Sequence, residues 1–339
     1  MKNVIIGAGV AGITAAKTIK EMNRDAEVVV IGDELFLPYK RYLLTEFLCD
    51  SIKRDELLFF SVEMLKELGI KLRKGEYVKS IEQSEKVIKL HHSEVMHYDK
   101  LLIATGGSPG LGLVLRPFKK HISFYYSLYD TLLLKEKLPE VRKCIVYGDG
   151  VSCLDLICVL CNLGKQVTYI TREERATFGL DEIDFDGELH EFLEEKGVEV
   201  ITEEQVVSIE ESEHGYKVET IQQRMLTTDI VFAWDYYKPN ISCIEGSAIE
   251  KKLGILVNTR LETSEKDIYS AGDCVEIYHP NIKCYWINFG LPNALAQGEI
   301  AGKNMSGQNE EYKIQEAIVF DLMGKSLKAR WWKTGQSRR

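Results

Sequence analysis

Three cysteines stand close together in the middle of the chain, where their thiols could hold an iron–sulfur cluster or form a redox disulfide. Cys153, Cys158 and Cys161 have a C-x4-C-x2-C spacing, and the last two make a CxxC pair. A cluster would need a loop and a fourth thiolate, but the surrounding residues read as a helix. Five helical residues rise about 7.5 Å, which puts Cys153 beyond disulfide reach of Cys158. We therefore expect small buried side chains on a helix, with a regulatory Cys158/Cys161 dithiol as the alternative.

The composition is that of a globular, acidic protein. Its 339 residues are 45% hydrophobic, which is enough for two or three domains with buried cores. A formal net charge of −9 argues against a nucleic-acid partner, which would favour clustered Lys and Arg. The chain has no run of about 20 apolar residues, as a membrane span needs, and its start, MKNVIIGAG, lacks a signal-peptide pattern. We expect a cytoplasmic protein without a membrane partner and with reduced cysteines.

The N-terminal residues have the pattern of a strand, a glycine-rich loop, a helix and a second strand. These elements are residues 3–6, Gly7 to Gly12, a helix as far as about Asn23, and residues 27–31. Gly7 permits a tight turn, Gly9 lets the backbone approach a pyrophosphate, and Gly12 lets helix and strand pack closely. Glu34 follows the second strand, where an acid accepts hydrogen bonds from an adenosine ribose. The pattern predicts a dinucleotide-binding unit.

A second unit of the same kind begins at residue 144. A strand over 144–147 leads to Gly148 and Gly150, followed by a helix to about Asn162 and a strand over 166–170. The three cysteines lie on this helix, where Cys153 replaces the third glycine of the motif. Two such units predict a doubly wound α/β fold that binds two dinucleotides.

Short motifs further along the chain follow one another in a specific order. They are PYKRYLLTE after Leu37, YDKLLIATG ending at Gly106, KPN at 238–240, GILV at 254–257, TS at 263–264, DIYSAGDC ending at Cys274, QG at 297–298 and NM at 304–305. Over residues 1 to about 307 the chain resembles the FAD-dependent pyridine nucleotide-disulfide oxidoreductase superfamily. Within it, the chain is most similar to the branch of rubredoxin, ferredoxin and nitrite reductases, which lacks a catalytic disulfide.

The resemblance implies a set of cofactor-binding residues. For FAD these are Gly7, Gly9, Val10, Ala11, Gly12, Asp33, Glu34, Lys40, Arg41, Val78, Ala104, Thr105, Gly106, Gly272 and Asp273. For NADH or NADPH they are Gly148, Gly150, Val151, Ser152, Arg172 and Glu173. Asp273 resembles the aspartate that binds a ribityl hydroxyl of FAD. Chemistry centred on the flavin needs no catalytic side chain, although Glu46 is a candidate for tuning the site, and we expect no metal site.

The chain departs from the family pattern at several places. Disulfide reductases of the superfamily carry C-x4-C near residues 40–50, where only Cys49 occurs here. Thioredoxin reductases carry CxxC shortly before the second glycine-rich loop, but residues 120–143 contain no cysteine. The second strand of the second unit ends at Thr171 instead of an acid, so Arg172 with Arg175 for a 2′-phosphate and Glu173 for a 2′-hydroxyl stay as alternatives. Trp234, Asp235, Tyr236 and Tyr237 replace a glycine-containing run and could obstruct the nicotinamide pocket.

We expect two Rossmann-like, three-layer α/β domains, the second inserted in the first. An FAD domain comprises residues 1–112 and 243–308, an NAD(P) domain comprises 113–242, and 309–339 is a remnant of the family's third domain. We expect the basic residues 325–339 to form a disordered tail. The alternative is that they guide an acidic electron carrier. The resemblance implies hydride transfer from NAD(P)H to FAD and onward to a small redox protein or reductase subunit, such as rubredoxin, ferredoxin or a nitrite reductase partner. The alternative is an FAD-binding structural or electron-relay protein with a degenerate nicotinamide site.

Overall fold

A computed structural model describes residues 1–178, 180–185, 187–315 and 318–330. Its helices are α1 (Val10–Met22), α2 (Leu44–Leu48), α3 (Val62–Leu68), α4 (Leu128–Lys137), α5 (Val151–Asn162), α6 (Leu189–Glu195) and α7 (Leu291–Met305). Short 3-10 turns at Arg41–Leu43, Arg54–Leu57, Arg116–His121, Leu138–Glu140 and Ser242–Ile244 connect them to the strands.

Strands occur along the whole of the described chain. The first twelve are β1 (Lys2–Ile6), β2 (Glu27–Gly32), β3 (Ile70–Lys74), β4 (Val78–Glu82), β5 (Val87–Leu90), β6 (Val95–His97), β7 (Lys100–Ile103), β8 (Gly107–Gly110), β9 (Ile122–Ser123), β10 (Lys143–Gly148), β11 (Gln166–Ile170) and β12 (Asp181–Asp184). Then follow β13 (Glu199–Ile201), β14 (Val206–Ser212), β15 (Gly215–Thr220), β16 (Met225–Thr228), β17 (Ile230–Trp234), β18 (Tyr236–Pro239), β19 (Ile255–Val257), β20 (Ile268–Ser270), β21 (Val275–His279), β22 (Cys284–Trp286), β23 (Ile318–Leu322) and β24 (Lys325–Arg330).

The first dinucleotide unit is built on a parallel sheet of order β20-β7-β1-β2-β3. Its inner strands are nearly all apolar because helices and other strands cover both faces. Helices α1 and α7 pack side by side on it, at a distance that glycines permit. A methyl group at Gly298 would lie 2.4 Å from the carbonyl oxygen of Ala11, so only glycine fits there.

The second unit is a parallel sheet of order β13-β11-β10-β17-β9. Successive side chains of a strand point to opposite faces, and β10 shows both faces buried. Cys144 and Val146 join the core that contains α5, whereas Ile145 and Tyr147 join a second core with the antiparallel strands β14 and β15. The unit therefore has three layers, with the parallel sheet in the centre.

The chain order of the sheets confirms the predicted fold class. All strands of the second parallel sheet occur between β7 and β20 of the first, so the second unit is inserted in the first. Where the chain passes between the units, β8 pairs with β18 as a two-stranded antiparallel ribbon. The domain boundaries at residues 112, 242 and 308 stay predictions.

The cysteine-rich segment is the helix expected from its sequence. Cys153 and Cys158 on α5 are buried at 0% and 8% exposure, within the hydrophobic core of the second unit. Cys161 is half-buried and packs against the same core. The structure thus confirms the prediction that these side chains serve helix packing.

The C-terminal residues form a β-hairpin on the second unit. Strands β23 and β24 pair with each other, and β24 also pairs with β12, while Leu327 and Ala329 join the core of the second unit. The prediction of a disordered tail is therefore wrong for residues 325–330, because apolar side chains on one face of β24 are buried. Residues 331–339 of that predicted tail lie outside the described residues. Among the described helices, none has the length and apolarity needed to cross a membrane.

Candidate cofactor-binding site

The first glycine-rich loop forms a tight cradle at the end of β1. Gly7 has a φ of 112°, and a methyl group there would lie 2.1 Å from the carbonyl oxygen of Ala104 on the neighbouring strand exit. A methyl group at Gly12 would lie 2.0 Å from the carbonyl oxygen of Gly7. At Gly9, in contrast, a methyl group would meet nothing within 4 Å. The loop is thus closed towards the protein and open on one side.

The open side of this loop is suited to an anion. Helix α1 begins after Gly9, and no side chain caps its first N–H groups. Uncapped N–H groups at a helix N-terminus, together with the helix dipole, favour a phosphate group. The loop therefore fits the pyrophosphate of a dinucleotide.

A cavity of about 1170 Å³ lies directly over the loop. It is larger than the pockets of about 300–1,000 Å³ that take ordinary small ligands, as a dinucleotide requires. The predicted residues that line it are Gly7, Gly9, Val10, Ala11, Asp33, Glu34, Arg41, Val78, Ala104, Thr105, Gly106, Val151, Ser152, Gly272 and Asp273. The predicted residues outside its lining are Gly12, Lys40, Glu46, Gly148, Gly150, Arg172 and Glu173.

Glu34 and Arg41 face each other across one part of the cavity. One carboxylate oxygen of Glu34 lies 2.7 Å from the Arg41 guanidinium, and the other accepts a hydrogen bond of 2.8 Å from the Tyr39 hydroxyl. The guanidinium also lies 4.2 Å from the ring centre of Tyr126 and donates to the carbonyl of that residue. A ribose hydroxyl and a phosphate oxygen are the groups that such an acid and such a cation bind.

Lys40, the other predicted cation, points elsewhere. Its ammonium group donates to the backbone carbonyl of Glu56 at 3.0 Å, on a neighbouring 3-10 turn. The structure therefore brings only Arg41 of the predicted cationic pair to the cavity.

Asp273 follows β20 and lines the other end of the cavity. The Tyr237 hydroxyl donates to its carboxylate at 3.2 Å. Burial raises the pKa of Asp273 to about 6, although the hydrogen bonds from Tyr237 and the Gly290 backbone and the charge of Arg41 act in the opposite direction. A carboxyl group of this kind can accept a hydrogen bond from a polyol hydroxyl.

The loop before Asp273 is fixed by a side chain that the sequence motifs singled out. Gln297 on α7 accepts a hydrogen bond of 2.7 Å from the Gly272 backbone. Gln297 is completely buried, so the bond is protected from water.

The aromatic run at 234–237 is divided between different environments. Trp234 is buried in the core of the second unit, and Asp235 accepts a hydrogen bond of 2.7 Å from the Gly112 backbone. Tyr237 alone of the run lines the cavity, where its ring contacts those of Tyr126 and Phe289 edge to face. Of these four residues, the structure therefore places one against the cavity.

The helix that follows the second glycine-rich loop reaches the same cavity. Gly148 has a φ of 131°, and a methyl group there would lie 2.1 Å from the Trp234 carbonyl oxygen. Gly150 is the N-cap of α5 and provides no side-chain cap, which leaves another helix N-terminus open. Val151 and Ser152, the first residues of α5, line the cavity. The first loop and the N-terminal turn of α5 therefore line one shared space.

The predicted residues after β11 lie at the edge of the second unit. The Arg172 guanidinium lies 3.4 Å from the Asp149 carboxylate and 3.8 Å from that of Asp235. Glu173 is exposed, and its backbone N–H donates to the Thr171 hydroxyl at 3.1 Å.

A polar cluster between α2 and α5 was only partly foreseen from sequence. The Thr45 hydroxyl lies 3.2 Å from the Asp155 carboxylate, to which it donates, and 3.0 Å from the Tyr125 hydroxyl. Burial raises the pKa of Asp155 to about 6; the Thr45 bond opposes this, and the nearby Glu46 charge adds to it. One carboxylate oxygen of Glu46 is buried without a hydrogen-bond partner among the described residues. The sequence singles out Glu46 as a candidate for tuning the site, but its approach to Asp155 depends on how the two helices pack.

Comparisons with known proteins agree with this geometry. A family model described as pyridine nucleotide-disulphide oxidoreductase matches residues 1–298. An NADH-rubredoxin oxidoreductase from Clostridium acetobutylicum is 30% identical over 333 residues, covering 96% of this chain and 80% of that protein. An assimilatory nitrate reductase electron transfer subunit from Bacillus subtilis is 29% identical over 276 residues, covering 80% of this chain and 36% of that protein. The putidaredoxin reductase–putidaredoxin complex shares the fold, with a TM-score of 0.83 at 21% identity, covering 94% of this chain and 78% of that one.

Proposed function

The chain belongs to the pyridine nucleotide-disulphide oxidoreductase family, and from that premise we propose that it is an FAD-dependent NAD(P)H oxidoreductase with a protein electron acceptor. The acceptor is a small redox protein or a reductase subunit, such as rubredoxin, ferredoxin or a nitrite reductase partner. We also propose that it acts in the cytoplasm. The observation that carries the proposal is that two open helix N-termini, of α1 and α5, face one cavity of about 1170 Å³.

The residues at the first loop fit FAD. The adenosine ribose would meet Glu34, the pyrophosphate would meet the α1 N-terminus and Arg41, and the ribityl chain would meet Asp273. The glycine cradle supports this fit, because a side chain at Gly7 would collide with the Ala104 carbonyl. Bound FAD supplies the redox chemistry, taking two electrons from NAD(P)H and releasing them singly or in pairs.

The second loop fits a nicotinamide dinucleotide. Its pyrophosphate would lie on the N–H groups of α5, next to Gly150 and Ser152, with Gly148 forming the turn beneath. Arg172 and Glu173, which follow β11, are the residues that the sequence predicts for the adenosine end. Tyr237 lines the cavity, so its ring occupies space that an entering nicotinamide would need.

The family's relatives support an external acceptor. The Clostridium relative is named for rubredoxin, and the Bacillus relative is named as an electron transfer subunit of nitrate reductase. In this chain the two places that hold a cysteine pair in related disulfide reductases contain at most Cys49. Electrons that leave the cavity would therefore pass directly to a partner and not through a dithiol.

A two-step anaerobic experiment tests the proposal. The FAD-loaded protein is mixed with NADH or NADPH, and oxidised rubredoxin or ferredoxin is then added. We expect the flavin colour to bleach in the first step and to return in the second. A flavin that bleaches but is reoxidised by neither carrier would contradict the protein-acceptor part of the proposal.

A charge variant separates the two cofactor sites. Ser152→Glu places a carboxylate at the α5 N-terminus, where it would repel a pyrophosphate without touching the first loop. We expect the KM for the reduced nucleotide to rise at least about tenfold, while dithionite still bleaches the FAD. If neither nucleotide bleaches the flavin of the unaltered protein, the second candidate function applies: an FAD-binding relay protein whose nicotinamide site is blocked. The ring of Tyr237 in the cavity is the observation that favours it.

A further inference from the structure

The two glycine-rich loops differ in the residue between their first two glycines. In the first unit this residue is Ala8, and it packs against Gly32 at the end of β2, where a methyl group would lie 2.8 Å from the Ala8 side chain. In the second unit the corresponding residue is Asp149. Thr171 directly follows β11 and corresponds by strand register to Gly32 of the first unit. A small apolar contact in one unit is thus replaced by a polar one in the other.

This polar contact holds a carboxylate at the end of the second strand. The Thr171 hydroxyl donates to one oxygen of Asp149 at 2.6 Å, and Thr171 is completely buried. The other oxygen of Asp149 lies 3.4 Å from the Arg172 guanidinium. Because β10 and β11 are adjacent parallel strands, their carboxyl ends meet at one edge of the sheet. The Asp149 carboxylate is therefore held beside the end of β11, and dinucleotide-binding folds carry the acid that binds the adenosine ribose just after this strand.

We propose that Asp149, on the loop, replaces the missing strand-end acid, binds the adenosine ribose hydroxyls of the nicotinamide dinucleotide and selects NADH over NADPH. The proposal rests on the function proposed above and names the cofactor preference of the same site. Each carboxylate oxygen has further lone pairs beyond the Thr171 and Arg172 contacts, so it can accept from a ribose hydroxyl. A 2′-phosphate would instead bring its negative charge against this carboxylate.

The nearby arginines do not offset that repulsion. Arg172 is paired with the carboxylates of Asp149 and Asp235, and Arg175 lies 3.5 Å from that of Glu188. A 2′-phosphate would have to share either guanidinium with an acid, which reduces the charge available to it.

Glu173 is the competing acid. By strand register, Glu173 corresponds to Glu34 of the first unit. Each of them lies three residues beyond the residue that pairs with the last residue before the glycine-rich loop of its unit. Its side chain is exposed, however, and the hydrogen bonds that hold it among the described residues are made by its backbone, to Thr171 and Glu203. A carboxylate that is already held in place loses less conformational entropy on binding, which favours Asp149.

The test uses two ligands that lack the nicotinamide ring, ADP-ribose and 2′-phospho-ADP-ribose, with binding to the FAD-loaded protein measured by calorimetry. We expect ADP-ribose to bind at least about tenfold more tightly. Asp149→Asn keeps an oxygen for the Thr171 hydroxyl but removes the charge. It should weaken ADP-ribose binding about tenfold and reduce the preference over the phosphorylated ligand. Thermal unfolding of the variant verifies that the fold is retained.

Two further variants complete the comparison. Glu174→Gln removes the same charge from the exposed part of the same loop, and the binding ratio should be unchanged. Glu173→Gln should have a smaller effect than Asp149→Asn. The proposal is overturned by tighter or equal binding of 2′-phospho-ADP-ribose, by an unaffected Asp149→Asn variant, by a larger loss in Glu173→Gln, or by binding of neither ligand. Failure of the proposed function is a different result: NADH would leave the flavin unbleached although ADP-ribose binds with the expected preference.

Discussion

Replacing Asp273 by asparagine should make the flavin-free protein more stable and its FAD binding weaker. Burial raises the pKa of this carboxyl from 3.8 to about 6 in the folded protein. A raised acid pKa means that the folded state is penalised whenever the group is ionised. Above about pH 6 the penalty is complete, and it disappears as the pH falls from about 6 to below about 4.

The size of the penalty follows from the shift. A difference of about two pKa units corresponds to about 3 kcal/mol at pH 7. Part of the Asp273 side chain faces the cavity, so water screens its charge and we expect about half of that limit, 1–2 kcal/mol. Asp273→Asn removes the charge and keeps an oxygen for the Tyr237 hydroxyl. It should therefore stabilise the flavin-free protein by about this amount near pH 7 and by almost nothing near pH 4.

Urea unfolding of the flavin-free protein across this pH range measures the effect, and FAD titration measures the cost to binding. The variant loses a charged acceptor for the ribityl chain, so the Kd for FAD should rise about tenfold. Asp25→Asn is the matched control, since Asp25 is exposed, and it should show neither change. The reasoning is refuted if Asp273→Asn is less stable than the unaltered protein near pH 7, or if the stability difference is the same at pH 4 and 7.

Two other predictions concern the same cavity. Gly7→Ala should destabilise the protein by at least about 3 kcal/mol, because its methyl group would lie 2.1 Å from the Ala104 carbonyl oxygen at a φ of 112°. Gly9→Ala should fold normally and bind FAD more weakly. Thermal unfolding with and without FAD compares the Gly7→Ala and Gly9→Ala variants. Unchanged FAD binding in Gly9→Ala would contradict the proposed fit. Tyr237→Phe removes a hydroxyl whose hydrogen bond lowers the pKa of Asp273. As the pH is lowered, the free energy of unfolding should then begin to rise at a higher pH than in the unaltered protein. A rise that begins at a lower pH would be evidence against this contact.

The local pattern of the chain predicts its two dinucleotide units well. Strand β11 occupies residues 166–170, as expected, and α5 ends at Asn162, because apolar runs, glycines and helix-favouring residues determine these elements over short distances. The cysteines of α5 are buried for the same reason. Strand β1 begins at Lys2, one residue earlier than the apolar pattern indicates, since a strand's backbone pairing continues past its apolar residues.

What the sequence does not show is which distant residues meet. Strand β12 has the sequence Asp-Glu-Ile-Asp, which carries no strand signal, and it forms by pairing with β24 near the other end of the chain. The contact between Thr45 and Asp155 depends on the packing of α2 against α5. The bond between Asp149 and Thr171 requires the register of β10 and β11. Each is a tertiary contact between segments whose local sequences are compatible with other partners.

We propose that the chain holds FAD and a nicotinamide dinucleotide in one cavity, close enough for electrons to pass between them. Anaerobic titration of the FAD-loaded protein with NADH, monitored by the flavin absorbance, examines this electron transfer itself. We expect loss of the oxidised flavin band with about one equivalent of NADH. A band that stays unchanged with excess NADH and excess NADPH, while dithionite removes it, would contradict the claim.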